Sequence, residues 1–298
     1  MEFVTVCFVA LLSFVSVNAM ASEVKMKRVL VTGANKGIGK AICESLLANH
    51  PDIFVLLGSR DLGRGEKAVK DLRRSVGAAV CDKRLELVQL DTSSDESVSA
   101  AAKQVAKGGN LFGIVNNAAI GFDSTLQDTV NTNYFGPRRV NDAFGKFLQR
   151  PGGRIVNLSS ASGPMFVSGC SDRALRQKLG DPTTIGGGIE EVDQMAKTAR
   201  VQDAYGFSKA LLSAYTALHA QSEPTLLINA CTPGYINTDM TRGYGATNPP
   251  SKGAIPPVWL LTSPDVEKVP TGRYYGSDCV RSPLHTYRGP GDPPYEGP

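Results

Sequence analysis

Thr32-Gly33-Ala34-Asn35-Lys36-Gly37-Ile38-Gly39 is the stretch that decides the fold. An apolar run at residues 28–32 leads into it and an amphipathic stretch at 38–48 leads out, so its glycines stand where a strand turns directly into a helix. Glycine is the residue that lets a backbone turn tightly there. Without a side chain it also lets the backbone approach a pyrophosphate held at the helix N-terminus. The motif therefore predicts a dinucleotide cradle formed by Gly33, Asn35, Lys36, Gly37, Ile38 and Gly39.

Outward from this turn, short Val/Ile/Leu runs alternate with amphipathic segments. Strands are expected at 28–32, 53–59, 85–90, 113–116, 153–158 and 226–231, and helices at 38–48, 64–76, 94–106, 134–148 and 205–221. The strand runs show little polar alternation, as expected of strands covered on both faces. The β-α-β order predicts an α/β fold with a single doubly wound parallel sheet of Rossmann type. A chain of 298 residues accommodates one such domain of about 250 residues plus tails.

The pattern breaks after Ser160. About 40 residues, roughly 164–202, read as a helical insertion with segments at 172–179 and 189–199. From Gly272 onward Gly, Pro and Tyr dominate, and residues 277–298 are expected to form an irregular tail.

At the other end, residues 3–17 are nearly unbroken apolar sequence followed by Val17-Asn18-Ala19, so 1–19 resembles a secretory signal. Glu2 in place of a basic residue speaks against that, and the run is short for a membrane span. A membrane anchor is the weaker alternative. Starts at Met20 or Met26 would leave a cytoplasmic protein, so secretory and cytoplasmic locations both stay open. Asn157-Leu158-Ser159 fits a glycosylation pattern but lies in an expected apolar strand.

Composition excludes several classes. A net charge of +4 over the whole chain is too small to imply nucleic-acid binding, and 42% apolar with 20% charged residues is ordinary for a globular protein. The six cysteines, at positions 7, 43, 81, 170, 231 and 279, form no CxxC pair. His50, His219 and His285 are scattered, so no metal site is expected.

After the second strand the chain reads Gly58-Ser59-Arg60, where an NAD site would place an acid for the ribose 2′-hydroxyl. Arg60, with Lys36, instead offers cations to a 2′-phosphate and favours NADP(H), the alternative being that Asp61 supplies the acid one position late. Farther on, Tyr205 and Lys209 stand four apart and share one helix face. An ammonium about 4 Å from the phenol, at an effective dielectric of about 20, favours the phenolate by about 4 kcal/mol, roughly three pH units. The expectation is a tyrosine brought from about 10 to near 7 and poised for proton transfer.

The glycine turn, Asn116-Asn117-Ala118-Ala119, Asn133, the serine ending the fifth strand, Tyr205-x-x-x-Lys209 and Pro233-Gly234-Tyr235-Ile236-Asn237-Thr238 occur in this order. Over residues 28 to about 275 the chain thereby resembles the short-chain dehydrogenase/reductase family. The long gap before Tyr205 and Ser59-Arg60-Asp61 are similar to its carbonyl-reductase branch. The resemblance implies an NADPH-dependent oxidoreductase that reduces small carbonyl compounds. Tyr205 would be general acid, Lys209 would lower its pKa and bind ribose hydroxyls, Ser160 rather than Ser159 would hold the substrate oxygen, and Asn133 would order a water.

It further implies Asp91 at the adenine, Asn117 and Ala118 bracing the cofactor, and Pro233, Gly234, Ile236 and Thr238 along its nicotinamide half. A monomer is expected, because the insertion would cover the helix face through which other members pair. Ala119 in place of the family's usual Gly, and a tail after Gly276 without counterpart, are the departures. A cofactor-binding regulator without chemistry, and an alcohol dehydrogenase working oxidatively, are the competing readings.

Overall fold

The computed structural model describes residues 26–268 and 271–297. Residues 1–19, and with them the signal-like segment, lie outside the described residues.

Eight strands form one sheet in the order β3-β2-β1-β4-β5-β6-β7-β8. They are β1 (Lys27–Val31), β2 (Ile53–Ser59), β3 (Leu85–Gln89), β4 (Gly113–Asn116), β5 (Arg154–Leu158), β6 (Leu227–Cys231), β7 (Tyr274–Tyr275) and β8 (Arg281–Ser282). All neighbours are parallel except β7 and β8. The first six match the expected strands to within a residue or so.

Alternation along β1 explains the two-faced core. Val29 and Val31 pack on one face with Ile42 and Leu46 of helix α1 (Gly37–Asn49), while Leu30 packs on the other with Val98 and Val105 of helix α4 (Asp95–Ala106). Helices α2 (Leu62–Ser75) and α3 (Ala78–Arg84) cover the edge between β2 and β3. Ser94 caps α4, its hydroxyl accepting from the Ser97 amide.

The reversal of strand order between β1 and β4 opens a crevice at the strands' C-terminal ends, the usual ligand position in such sheets.

The helix expected at 134–148 begins earlier. α5 (Leu126–Val130) is capped by Thr125, then a π-helical turn, Asn131–Phe135, leads into α6 (Gly136–Phe144). Thr125-Leu126-Gln127-Asp128 is a local cap signal in the sequence. The π-turn has no such signature.

The insertion folds as α7 (Ser162–Gly169), α8 (Arg173–Gly180), a short 3-10 turn Pro182–Thr184 and α9 (Gly188–Thr198). It packs on α10 (Ala204–Ser222) through Val167, Leu179 and Val192 against Phe207, Leu211 and Tyr215. Two short helices, α11 (Pro250–Gly253) and α12 (Ile255–Thr262), complete the C-terminal part.

The expectation for the segment after Gly272 is corrected. Tyr274 and Tyr275 are buried and extend the sheet as β7, and β8 pairs back on it. Farther along, Arg288 grips Asp278 with two guanidinium nitrogens at 3.0 and 2.9 Å. Glycine and proline content conceals such structure, because it is specified by one ion pair spanning ten residues and two buried tyrosines.

Candidate active site

The glycine turn sits at the mouth of a cleft of about 790 Å³. Gly33 has φ +62°, and a Cβ there would come 2.8 Å from the Ala118 Cα. At Gly39 a Cβ would lie 2.4 Å from Asn117 Nδ2 and 2.7 Å from the Gly33 carbonyl oxygen. Both positions exclude a side chain, which keeps bare backbone facing the cleft.

Asn117 locks the turn to the sheet. Its Nδ2 donates to the carbonyls of Thr32 (2.8 Å) and Gly33 (3.1 Å), and its amide donates to Thr32 Oγ1 (3.0 Å), as does the amide of Ala118. Asn35, Lys36, Gly37, Ile38 and Gly39 all line the cleft. The bare turn with positive φ at Gly33 and Gly37 is the cradle a dinucleotide pyrophosphate requires.

At the far end of β2 the wall carries Arg60, Asp61, Arg64 and Asp91. Arg60 is 4.0 Å from Asp91, whose other oxygen accepts from the amide and hydroxyl of Ser93. Arg60 and Arg64 are exposed, and two guanidinium groups at this end suit a 2′-phosphate. Arg64 escaped the sequence reading because it lies inside the first turn of α2. The Lys36 ammonium pairs with Asp239 at 2.9 Å, across the cleft. Asp239 follows Thr238, 203 residues away, so local sequence carries no hint of the pairing.

The nicotinamide side is walled by the segment after β6. Pro233 and Thr238 line the cleft, Gly234 has φ +86°, and Ile236 is buried with Ile38 against Gly253. Thr238 caps the short turn Asp239–Thr241 and lies over Gly37.

Tyr205 and Lys209 enter the same cleft from the first turns of α10. Asp203 caps this helix through the Gly206 amide (2.8 Å), which fixes where Tyr205 leaves it. Lys209 Nζ lies 5.6 Å from the centre of the Tyr205 ring and donates to the Leu158 carbonyl (2.8 Å). Ser160 lies beside Tyr205 and works to lower its pKa, while its Oγ donates to Ser162 Oγ (3.3 Å) and accepts from the Ser162 amide (3.2 Å).

Ser159, the neighbour, is buried and fully engaged: its Oγ bonds the Lys209 carbonyl (2.9 Å) and Ser213 Oγ (2.8 Å). Asn133 sits in the π-turn with its side chain clamped. Nδ2 donates to Ile120 O and to Ser208 Oγ, both at 3.1 Å, and Oδ1 accepts from the Ile120 amide. Ser208 in turn donates to the Tyr205 carbonyl (2.8 Å), so Asn133 braces the turn that carries the tyrosine. Asn157 is fully buried, with Nδ2 on Thr216 Oγ1 and Oδ1 accepting from Asn116, which leaves no room for a glycan.

The expected acidification of Tyr205 is overturned by burial. Desolvation pushes its phenol up to about 12, against which the neighbouring Ser160 hydroxyl works. Desolvation also pulls the Lys209 ammonium down to about 8. The simple ion–phenol estimate kept the Coulomb attraction and left out the removal of both groups from water, which here dominates. Tyr205 therefore holds its proton at neutral pH, while Lys209 keeps most of its charge.

Above the tyrosine lies an aromatic mouth with no signature in local sequence. Phe122 stands 4.7 Å from Tyr205 and 5.5 Å from Tyr244, centre to centre, and Met240 packs beside Gly121. Phe122 and Tyr244 are about half exposed, at 48% and 54%. Such exposed apolar area at a cleft mouth suits a hydrophobic ligand.

The family model for short chain dehydrogenase matches residues 27–171. The chain is 31% identical to (+)-neomenthol dehydrogenase of Arabidopsis thaliana, covering 84% of this chain and 96% of that protein. It is 34% identical to carbonyl reductase (NADPH) 1 of Homo sapiens, again over 84% and 96%. Among solved structures, salutaridine reductase from Papaver somniferum superposes with a TM-score of 0.72 at 25% identity, over 84% of this chain and 99% of that one. With the glycine turn, the tyrosine–lysine pair and the sheet order already in place, this similarity over most of its length makes the chain a member of the short-chain dehydrogenase/reductase family.

Proposed function

We propose that this protein reduces aldehydes, ketones or quinones with an apolar body to alcohols, Tyr205 acting as the general acid. It is an NADP(H)-dependent oxidoreductase. The glycine turn would hold the pyrophosphate, Arg60 and Arg64 the 2′-phosphate, and Thr238 and Ile236 the nicotinamide half. Bound there, NADPH supplies the hydride.

The chain's own groups handle the proton. Ser160 and Tyr205 present two hydroxyls to the carbonyl oxygen. Tyr205, protonated at neutral pH because burial holds its pKa at about 12, gives up its proton as negative charge develops on that oxygen. The buried Lys209 charge stabilises the tyrosinate left behind. A protonated phenol suits reduction, whereas oxidation of an alcohol would need a base. Phe122, Met240 and Tyr244 give the substrate its apolar contact. The α7–α9 layer over α10 supports a monomer, for which sedimentation velocity is the check.

The observation that carries this reading is the convergence of Tyr205 and Lys209 at the glycine-lined cleft, with Ser160 beside the tyrosine. Tyr205→Phe tests it. NADPH binding should persist while ketone-dependent loss of nicotinamide absorbance falls about 100- to 10,000-fold. A variant retaining activity within a few-fold of wild type removes Tyr205 as the acid.

A further inference from the structure

A second cavity, of about 1000 Å³, lies away from the cleft where α8, the C-terminal half of α10, β7 and the tail meet. Its lining carries four arginines, Arg173, Arg176, Arg273 and Arg281, together with His285, against a single carboxylate, Asp181. Asp181 is committed elsewhere, accepting from the amide (3.1 Å) and hydroxyl (2.6 Å) of Thr183. Among the described residues, no ion pair or side-chain hydrogen bond is made by Arg173 or Arg176, and Arg273 Nε is buried without a partner.

Arg281 is held in place at the opposite wall, its guanidinium 5.3 Å from the centre of the Tyr295 ring. Burial, and after it the nearby Arg273 charge, depress the Arg281 pKa. Arg173, Arg176 and Arg273 face one concavity with Asp181 as the single lining carboxylate among the described residues, and their like charges repel each other. A buried guanidinium nitrogen without an acceptor adds a further desolvation cost. An external anion entering the cavity would relieve the repulsion.

We propose that this cavity is a second ligand site, selective for a phosphoryl group carried by a small molecule or a lipid headgroup. Guanidinium forks pair with phosphoryl oxygens in bidentate fashion, and Arg173, Arg176 and Arg273 together match a multiply charged anion better than a single carboxylate. Tyr274 forms part of the shared wall: it lines this cavity and lies beside Thr232, whose hydroxyl accepts from the Gly234 amide in the cofactor segment.

Calorimetric titration of the NADP-saturated protein with inorganic pyrophosphate tests the site, the bound cofactor keeping the probe out of the glycine cleft. One-to-one binding is expected, weakened at least about tenfold in Arg173→Ala/Arg176→Ala and unchanged in Lys103→Ala, an exposed cation on α4. Both arginines are exposed on α8, so the double variant should fold as wild type. Co-sedimentation with phosphatidylcholine vesicles with and without phosphatidylinositol phosphate separates the two sources. Vesicle binding that depends on the same arginines assigns the group to a lipid, and pyrophosphate binding alone assigns it to a soluble ligand. Absence of binding in both arms, or binding indifferent to the double variant, overturns the site.

Discussion

Replacing Lys209 by methionine should make the cofactor-free protein more stable while abolishing its activity. Lys209 is 3% exposed and its ammonium has one hydrogen-bond acceptor, the Leu158 carbonyl. Burial lowers its pKa from 10.5 to about 8. Between those values the unfolded chain binds more protons than the native one, so wild-type stability rises with pH across that window. The penalty of the buried charge is fully present below about pH 8 and gone above 10.5.

At about 1.4 kcal/mol per pH unit, the difference of 10.5 and about 8 amounts to about 3 kcal/mol at pH 7, shrinking to about 1 kcal/mol at pH 10. Methionine removes the penalty but leaves the Leu158 carbonyl unsatisfied, a cost of about 1 kcal/mol. The variant should then gain about 2 kcal/mol at pH 7 and almost nothing at pH 10. Urea denaturation of both proteins at the two pH values measures this, the wild-type-minus-variant difference cancelling every other titrating group. A variant less stable than wild type at pH 7, or a gap that does not change with pH, would refute desolvation as the dominant force on Lys209.

Gly39→Ala drives a methyl into Asn117 Nδ2 and the Gly33 carbonyl, so a loss of about 1–3 kcal/mol in stability and a marked rise in the NADPH Kd are expected by calorimetry; near-wild-type binding would contradict the close packing. Arg60→Asp should shift the ratio of kcat/KM for NADPH over NADH at least about tenfold toward NADH, whereas an unchanged ratio moves 2′-phosphate recognition entirely onto Arg64. Phe122→Ala should raise KM for an aromatic ketone about two- to tenfold and leave a short aliphatic aldehyde unaffected; equal effects on both would mean that the ring supports Tyr205 and not the substrate.

How far each feature was legible depends on how local its cause is. Strand β1, the turn and α1 follow from apolar periodicity and from glycine's freedom at Gly33, both properties of neighbouring residues. The shared helix face of Tyr205 and Lys209 follows equally from their spacing. The start of α5 was readable in the Thr125 cap but was placed too late, and the π-turn that carries Asn133 leaves no trace in composition.

By itself, then, the sequence determined where the first six strands lie, the bare glycine cradle and the tyrosine–lysine spacing, because each is set by neighbouring residues. Tertiary structure alone decided which serine is locked into the core. Ser159 is tied to Lys209 and Ser213, about fifty residues on, whereas Ser160 bonds its near neighbour Ser162 and stands beside Tyr205. It also decided that Lys36 meets Asp239, that the tail joins the sheet, and that four arginines surround one cavity. The direction of the Tyr205 and Lys209 pKa shifts belongs with these, since desolvation depends on everything packed around a group and cannot be summed from its neighbours in the chain.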